Sequence, residues 1–156
     1  MRGTIVCGVT DTEAGRGALA AAAELSGRLG LRLVLVHVAD GIASLALNGE
    51  SESVTTRADR EGAARLVARL AAEHGVAGSA DQRAAVGDPA ALLGQIASEE
   101  AADMIVVGSR ERGRMRRALE SRLAHQLATE TPVPVLITPP QRRQARKAAA
   151  SQGGRR

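Results

Sequence analysis

Chemistry in this chain is best sought where an apolar run breaks into glycine and charge. Met104-Ile105-Val106-Val107 ends in Gly108-Ser109, and Arg110-Glu111-Arg112-Gly113-Arg114 follows at once. A buried parallel strand delivers its C-terminal end in this way, and open α/β sheets bind ligands in the crevice outside such ends. Glycine lets backbone N–H groups approach a phosphate, and the next helix adds its own free N–H groups. The arginines Arg110, Arg112, Arg114, Arg116 and Arg117 either gather anions at that helix start or form a solvated face; their place beside the glycine loop favours anion contact.

Other chemistries fit less well. Gly108 and Gly113 have the GxxxxG spacing of a P-loop, but Arg114-Met115 stands where Lys-Ser/Thr would reach phosphate and magnesium. No G-x-G-x-x-G follows the first apolar run. His37, His74 and His125 are far apart, Cys7 is the one cysteine, and there is no H-x-x-H or C-x-x-C, so a metal site has no sequence support. His37 reads as a loop anchor and His74 as a helix-end residue, favourable near the C-terminal dipole. Asp11 is either a ribose or magnesium contact or a helix cap, and Asp88 before Pro89 reads as a turn and cap residue. No nucleophile–base–orienter set emerges, so no catalytic residue is assigned.

The elements that must position these residues alternate regularly. Thr4–Val9 is the first strand, and Thr10 with Glu13 fits a capping box. Leu19, Ala22, Ala23, Ser26 and Leu29 recur at helical spacing, with Gly30 as terminator. Leu31–Val38 is a second strand. Residues 40–53 read as a long loop. A helix over 54–74 turns Ala58, Ala63, Leu66, Val67 and Leu70 inward and ends at Gly75. Gln82–Val86 is a polar third strand that suits an edge. Pro89 starts a helix carrying Leu92, Leu93, Ile96 and Ala97. Met104–Val107 is the fourth strand, and a basic helix over 116–129 shows Leu119, Leu123 and Leu127 on one face. Thr131–Thr138 is the last strand, placed at an edge by Pro132 and Pro134. Strict β-α alternation predicts one open parallel sheet with helices on both faces.

The 156 residues suit one domain. There is no Phe, Tyr or Trp, hence no base-stacking platform of the kind single-strand binders use. The net charge of +4 is misleading, because residues 139–156 carry six basic and no acidic side chains. Residues 1–138 keep fifteen basic against seventeen acidic side chains, a net charge of −2. The chain is therefore divided into a domain over 1–138 and a basic tail over 139–156. The tail is expected to be unstructured and is the one segment suited to nucleic acid or an anionic surface. A signal-like apolar segment and a membrane-length run are both absent, which predicts a cytoplasmic protein. Cys7 lies inside the first strand and reads as a small buried hydrophobe.

In order and spacing, the chain resembles the universal stress protein family over residues 3–138. The carriers are Ile5-Val6-Cys7-Gly8-Val9-Thr10-Asp11-Thr12-Glu13, Leu33-Val34-Leu35-Val36-His37-Val38, Gly87-Asp88-Pro89, Val106-Val107-Gly108-Ser109-Arg110 and Thr131-Pro132-Val133-Pro134-Val135-Leu136-Ile137. The resemblance implies a Rossmann-like, adenine nucleotide alpha hydrolase-like sheet of order 3-2-1-4-5. It also implies a homodimer through the last strand, with Val133, Val135, Leu136 and Ile137 at the interface; an exposed apolar edge gives a physical reason for that.

Some family members bind ATP between strands 1, 2 and 4, on a pattern G-x2-G-x9-G-[S/T] after strand 4. Transferred by position, the implied nucleotide residues are Val9, Thr10, Asp11, Thr12, Val38, Gly108, Ser109, Arg110, Gly113, Arg114, Ser121 and Arg122, with ATP and magnesium as the implied cofactors. The match is partial. Glu111 stands at the second glycine, Ser121 at the third, and Arg122 at the Ser/Thr after it. The family's Val-Asp-Gly-Ser is Val9-Thr10-Asp11-Thr12 here, so the acid is Thr10 or is displaced to Asp11. Glu111 places negative charge where a triphosphate would lie. These departures resemble the branch of the family that does not bind ATP. The expected function is a dimeric stress-response binding and regulatory module with protein partners and a degenerate crevice. The alternatives are an ATP sensor using the same crevice and a weak ATP or phosphoester hydrolase.

Overall fold

A computed structural model describes residues 3–39, 52–109 and 123–140 of the chain. The elements are β1 (Thr4–Gly8), α1 (Glu13–Leu29), β2 (Arg32–Ala39), α2 (Glu52–Glu73), β3 (Ala80–Val86), α3 (Pro89–Glu99) and β4 (Met104–Gly108). A helical stretch over 123–130, α4, and β5 (Val135–Thr138) complete the series. The five strands form one sheet in the order β3-β2-β1-β4-β5, every neighbouring pair parallel. This is the expected architecture.

Alternation along the strands divides the core between two faces. Ile5, Cys7 and Val9 of the first strand and its following loop pack with Leu33, Leu35 and Val106 against α1 and α2, through Ala18, Leu19, Ala22, Val67, Leu70 and Ala71. Val6, Val34, Val36, Ile105 and Val107 pack on the other face, against Ala90, Leu93, Ile96 and Ala97 of α3 and Leu127 of α4. The first two helices therefore cover one face and the last two cover the other. Connections leave β1 and β4 toward opposite sides of the sheet, so the topological switch point lies between these neighbours. Cys7 is fully buried, and burial pushes its thiol pKa well up. That is the inert hydrophobe its position suggested.

Helix ends follow their local chemistry. Gly30 closes α1 in the left-handed region at φ 65°, and Gly75 follows α2 at φ 69°. After α3 the same turn is made by Ala101 at φ 47°. There the Ala102 N–H reaches the Ala97 carbonyl, and the Ala101 N–H reaches that of Ser98. This is the two-bond Schellman closure. Asp88 caps α3, its carboxylate accepting from the Ala91 N–H at 2.9 Å, with Pro89 in the first turn.

Several expectations are corrected. Thr10 does not cap α1. Thr12 does, with its hydroxyl accepting from the Gly15 N–H at 3.0 Å while Thr10 hydrogen-bonds the Thr12 hydroxyl. Leu29 and Ala58 are exposed rather than inward, and Leu25 takes the packing position in the last turns of α1. The last strand begins at Val135, not Thr131. Pro132 and Pro134 have no N–H to give a ladder, and the Thr131 hydroxyl accepts from the Val133 N–H, turning the chain before the strand forms. The third strand starts two residues earlier than its polar sequence suggested and does lie at the sheet edge. The loop over 40–53 lies outside the described residues up to Ser51, and its end, 52–53, is the start of α2. The tail over 141–156 also lies outside them.

The lower rim of the sheet is tied by charge. Arg32 pairs with Asp81 at 2.6 Å and with Glu100 at 2.5 Å, and Arg83 also pairs with Glu100. The Asp103 carboxylate accepts from the Thr4 N–H at 2.7 Å, fixing where β1 starts. These contacts set the register that carries the other rim, where the strand ends converge.

Candidate functional site

The upper rim gathers the residues that follow β1, β2 and β4. Cys7 stands opposite Leu35 on one side and Val106 on the other. Three adjacent strands therefore bring Val9–Thr12, Val38–Ala39 and Gly108–Ser109 to one edge, with Val9 itself buried and Asp11 exposed. The Val9 N–H donates to the Val36 carbonyl at 2.8 Å, so the chain stays in register one residue past the strand. His37 then donates from Nδ1 to the Val9 carbonyl at 2.7 Å. A carbonyl can only accept, so this contact fixes the proton on Nδ1. His37 is thus a brace between the ends of β1 and β2, as its loop-anchor reading required. On the β5 side the Ser109 N–H donates to the Thr138 carbonyl at 2.8 Å. On the β3 side the Gly87 N–H donates to the Ala39 carbonyl at 3.0 Å.

The start of α1 is pressed against this rim. A Cβ built on Gly108 would overlap the carbonyl oxygen of Ala14, and one on Gly15 would overlap the backbone of Thr10. Gly108 therefore has a packing role: it lets the first turn of α1 sit directly on the end of β4. Gly15 lets that turn fold back over the β1 loop. Thr10 is half-buried and spends its hydroxyl on Thr12.

Asp11 has partners that its neighbours in sequence do not reveal. One carboxylate oxygen meets Arg16 at 2.9 Å and the other meets Arg69 of α2 at 2.8 Å. Glu73 closes a ring, with Arg16 at 2.5 Å and Arg69 at 3.4 Å. The hydrogen bonds from Arg69 and then Arg16 hold the Asp11 carboxyl below the usual carboxylate range. Glu73 is lowered as well, chiefly by Arg16. Arg16 is raised chiefly by Glu73, and Arg69 chiefly by Asp11. Asp11 is thus not the helix cap, and each of its carboxylate oxygens has a guanidinium partner.

Of the residues implied for nucleotide contact, the structure brings together Val9, Thr10, Asp11, Thr12, Val38, Gly108 and Ser109. Arg110, Gly113, Arg114, Ser121 and Arg122 lie outside the described residues, as do Glu111 and Arg112. Arg16, Arg69 and Glu73 were not singled out from the sequence. The i,i+4 spacing of Arg69 and Glu73 is visible there, but it predicts a pair within one helix and not a bond to a loop 58 residues earlier. His74 donates from Nδ1 to the Leu70 carbonyl at 3.0 Å, just past the end of α2, in keeping with its helix-end reading. Among the described residues, no three His, Cys, Asp or Glu side chains cluster as metal ligands, and no helix is long and apolar enough to cross a membrane.

Comparison with known proteins places the fold. The chain matches no curated protein. Among solved structures, a universal stress protein family member from Burkholderia pseudomallei is 27% identical with a TM-score of 0.66, over 87% of this chain and 95% of that one. The universal stress protein UspA from Lactobacillus plantarum is 17% identical with a TM-score of 0.70, over 88% and 99%. A universal stress protein in complex with cAMP is 20% identical with a TM-score of 0.65, over 87% and 96%. The sequence profile of the Universal stress protein family matches residues 1–139, the whole five-stranded sheet and the helices that cover it, and the chain belongs to that family.

Proposed function

We propose that the chain is a non-catalytic, dimeric binding module of stress response whose upper-rim crevice does not hold magnesium–ATP tightly. The observation that carries this reading is the commitment of Asp11. Each of its carboxylate oxygens is paired with a guanidinium group, so a metal or a ribose hydroxyl must compete with two cationic partners for the acid nearest the end of β1. Thr10, at the position where the family resemblance expects an acid, carries no charge. Glu111 adds like charge in the segment where a triphosphate would lie.

A second reading has its own support. The rim keeps the backbone framework of a nucleotide crevice: Val38 beside the β1 end and glycine at the end of β4. A structurally similar universal stress protein is found with cAMP. In this reading the crevice accepts an adenine nucleotide of low charge, and binding alters partner choice in the dimer.

Calorimetry decides between them. Wild-type protein titrated with ATP and magnesium is expected to show no binding tighter than millimolar, and Glu111→Gly is expected to bind more tightly than wild type. Micromolar binding by the wild type would overturn the proposal in favour of an ATP sensor. Parallel titration with cAMP tests the low-charge reading directly.

A further inference from the structure

The ring Asp11–Arg16–Glu73–Arg69 has a feature beyond stability: its two positive and two negative groups cancel, and it begins in the loop after β1 at the upper rim. Asp11 lies between Thr10 and Thr12 at the rim. Arg16 belongs to the first turns of α1, the helix whose start rests on Gly108. Arg69 and Glu73 lie one turn apart on α2, and through Asp11 and Arg16 they tie that helix to the loop. All four side chains are partly open to water, from 28% for Arg16 to 49% for Arg69. An ion arriving at the rim could reach them if their partners let go.

We propose that this ring is a charge mask that sets the ligand class of the crevice: paired, it presents neither a free carboxylate nor a free guanidinium, and it selects a nucleoside or singly charged phosphodiester over a polyanion–metal complex. The proposal rests on the crevice being a binding site. It differs from the glycine-pattern argument because it places selection in α1 and α2 and not in the segment after β4. Its logic is reciprocal. Losing the Asp11 or Glu73 charge leaves the two arginines with one carboxylate between them, a fork-shaped donor set suited to phosphate. Losing the Arg69 charge leaves one Asp11 oxygen without a cationic partner, a hard ligand suited to a divalent cation.

The test uses the full chain and two simple probes, inorganic phosphate and magnesium ion, so it does not depend on the identity of a nucleotide. Backbone amide NMR shifts of Thr10, Thr12, Gly15 and Ser109 are followed in the wild type, Asp11→Asn, Glu73→Gln and Arg69→Gln. In the wild type, neither probe should move these amides in the millimolar range. Phosphate should move them in Asp11→Asn and in Glu73→Gln, with affinity about tenfold above wild type. Magnesium should move them in Arg69→Gln and in neither carboxylate variant, and Arg69→Lys should restore the wild-type silence. Glu73→Gln leaves the crevice loop itself unaltered, so it still reads the effect if Asp11→Asn does not fold. Unchanged phosphate response in the folded carboxylate variants, or magnesium silence in Arg69→Gln, would overturn the mask. Failure of every adenine compound to bind the wild type would instead overturn the crevice reading, and the two failures are distinguishable.

Discussion

Gly108 shows how a single residue can serve the fold at a place that resembles a ligand site. Its lack of a side chain lets the Ala14 carbonyl rest against the end of β4. A Cβ there would overlap backbone atoms, which cannot swing aside as a flexible side chain would. Gly108→Ala is therefore expected to cost about 3 kcal/mol, or roughly 10 °C in melting temperature for a chain of this size. Gly27, late in α1, has nothing within 4 Å of the same added atom. Gly27→Ala should stabilise by about 0.5 kcal/mol, because glycine inside a helix is entropically unfavourable. Thermal unfolding of both variants checks the pair. If Gly108→Ala melts like the wild type, α1 does not press on β4 as described. The same comparison bears on function, since a destabilising substitution at Gly108 would abolish ligand binding without showing that Gly108 touches the ligand.

At the scale of elements, what could be read in the sequence was what depends on near neighbours. Short apolar runs marked four of the strands and a polar run before Gly87 marked the third, and Gly30, Gly75 and Asp88 marked the helix ends through their own backbone chemistry. The two misplaced inward residues, Leu29 and Ala58, are exposed although they continue the helical period of their helices, because periodicity does not say where the packed stretch of a helix ends. Thr10 and Thr12 are both good caps, and only the fold of the loop decides between them. The ring around Asp11 was not legible at all, because its bonds join the loop after β1 to a helix 58 residues later.

That ring makes a prediction about pH. Asp11 and Glu73 have carboxyl pKa values lowered in the fold from ordinary values of 3.8 and 4.5. A depressed acid contributes stability that is complete above its unfolded value and is lost as the pH falls through its folded value. Asp11→Asn should accordingly melt below the wild type at neutral pH. The gap should persist down to the ordinary carboxylate range and close as the pH falls beneath it. Because the groups are exposed, the gap should be small and should shrink in high salt. Melting temperatures measured from neutral pH down to pH 2, with and without 1 M salt, give the answer. A gap that widens in acid would show that the ring does not hold Asp11 ionised.

At the scale of the molecule, the sheet has one edge that asks for a partner. β5 pairs with β4 on one side, from Ile105 opposite Val135 to Gly108 opposite Thr138. The Pro134 and Thr138 carbonyls accept from the Ile105 and Ser109 N–H groups. By the two-residue period of a strand, the backbone groups of Val135 and Ile137 then face the open edge. Ile137 is 50% exposed there, a large apolar side chain beside backbone groups that pair with no strand among the described residues, while Val133, Val135 and Leu136 are half-buried against the core. Such an edge is a template for another strand. The chain is expected to be a dimer joined along β5, with Ile137 near the centre of contact. Ile137→Glu should convert it to a monomer in sedimentation velocity. It should do so without loss of secondary structure, since half of that side chain already meets water in the single chain. The wild-type melting temperature should rise with protein concentration, and the variant's should not, because dimerisation stabilises by mass action. A dimer that survives Ile137→Glu with its concentration dependence intact would place the interface elsewhere, and β5 would then be a solvated edge kept short by the prolines before it.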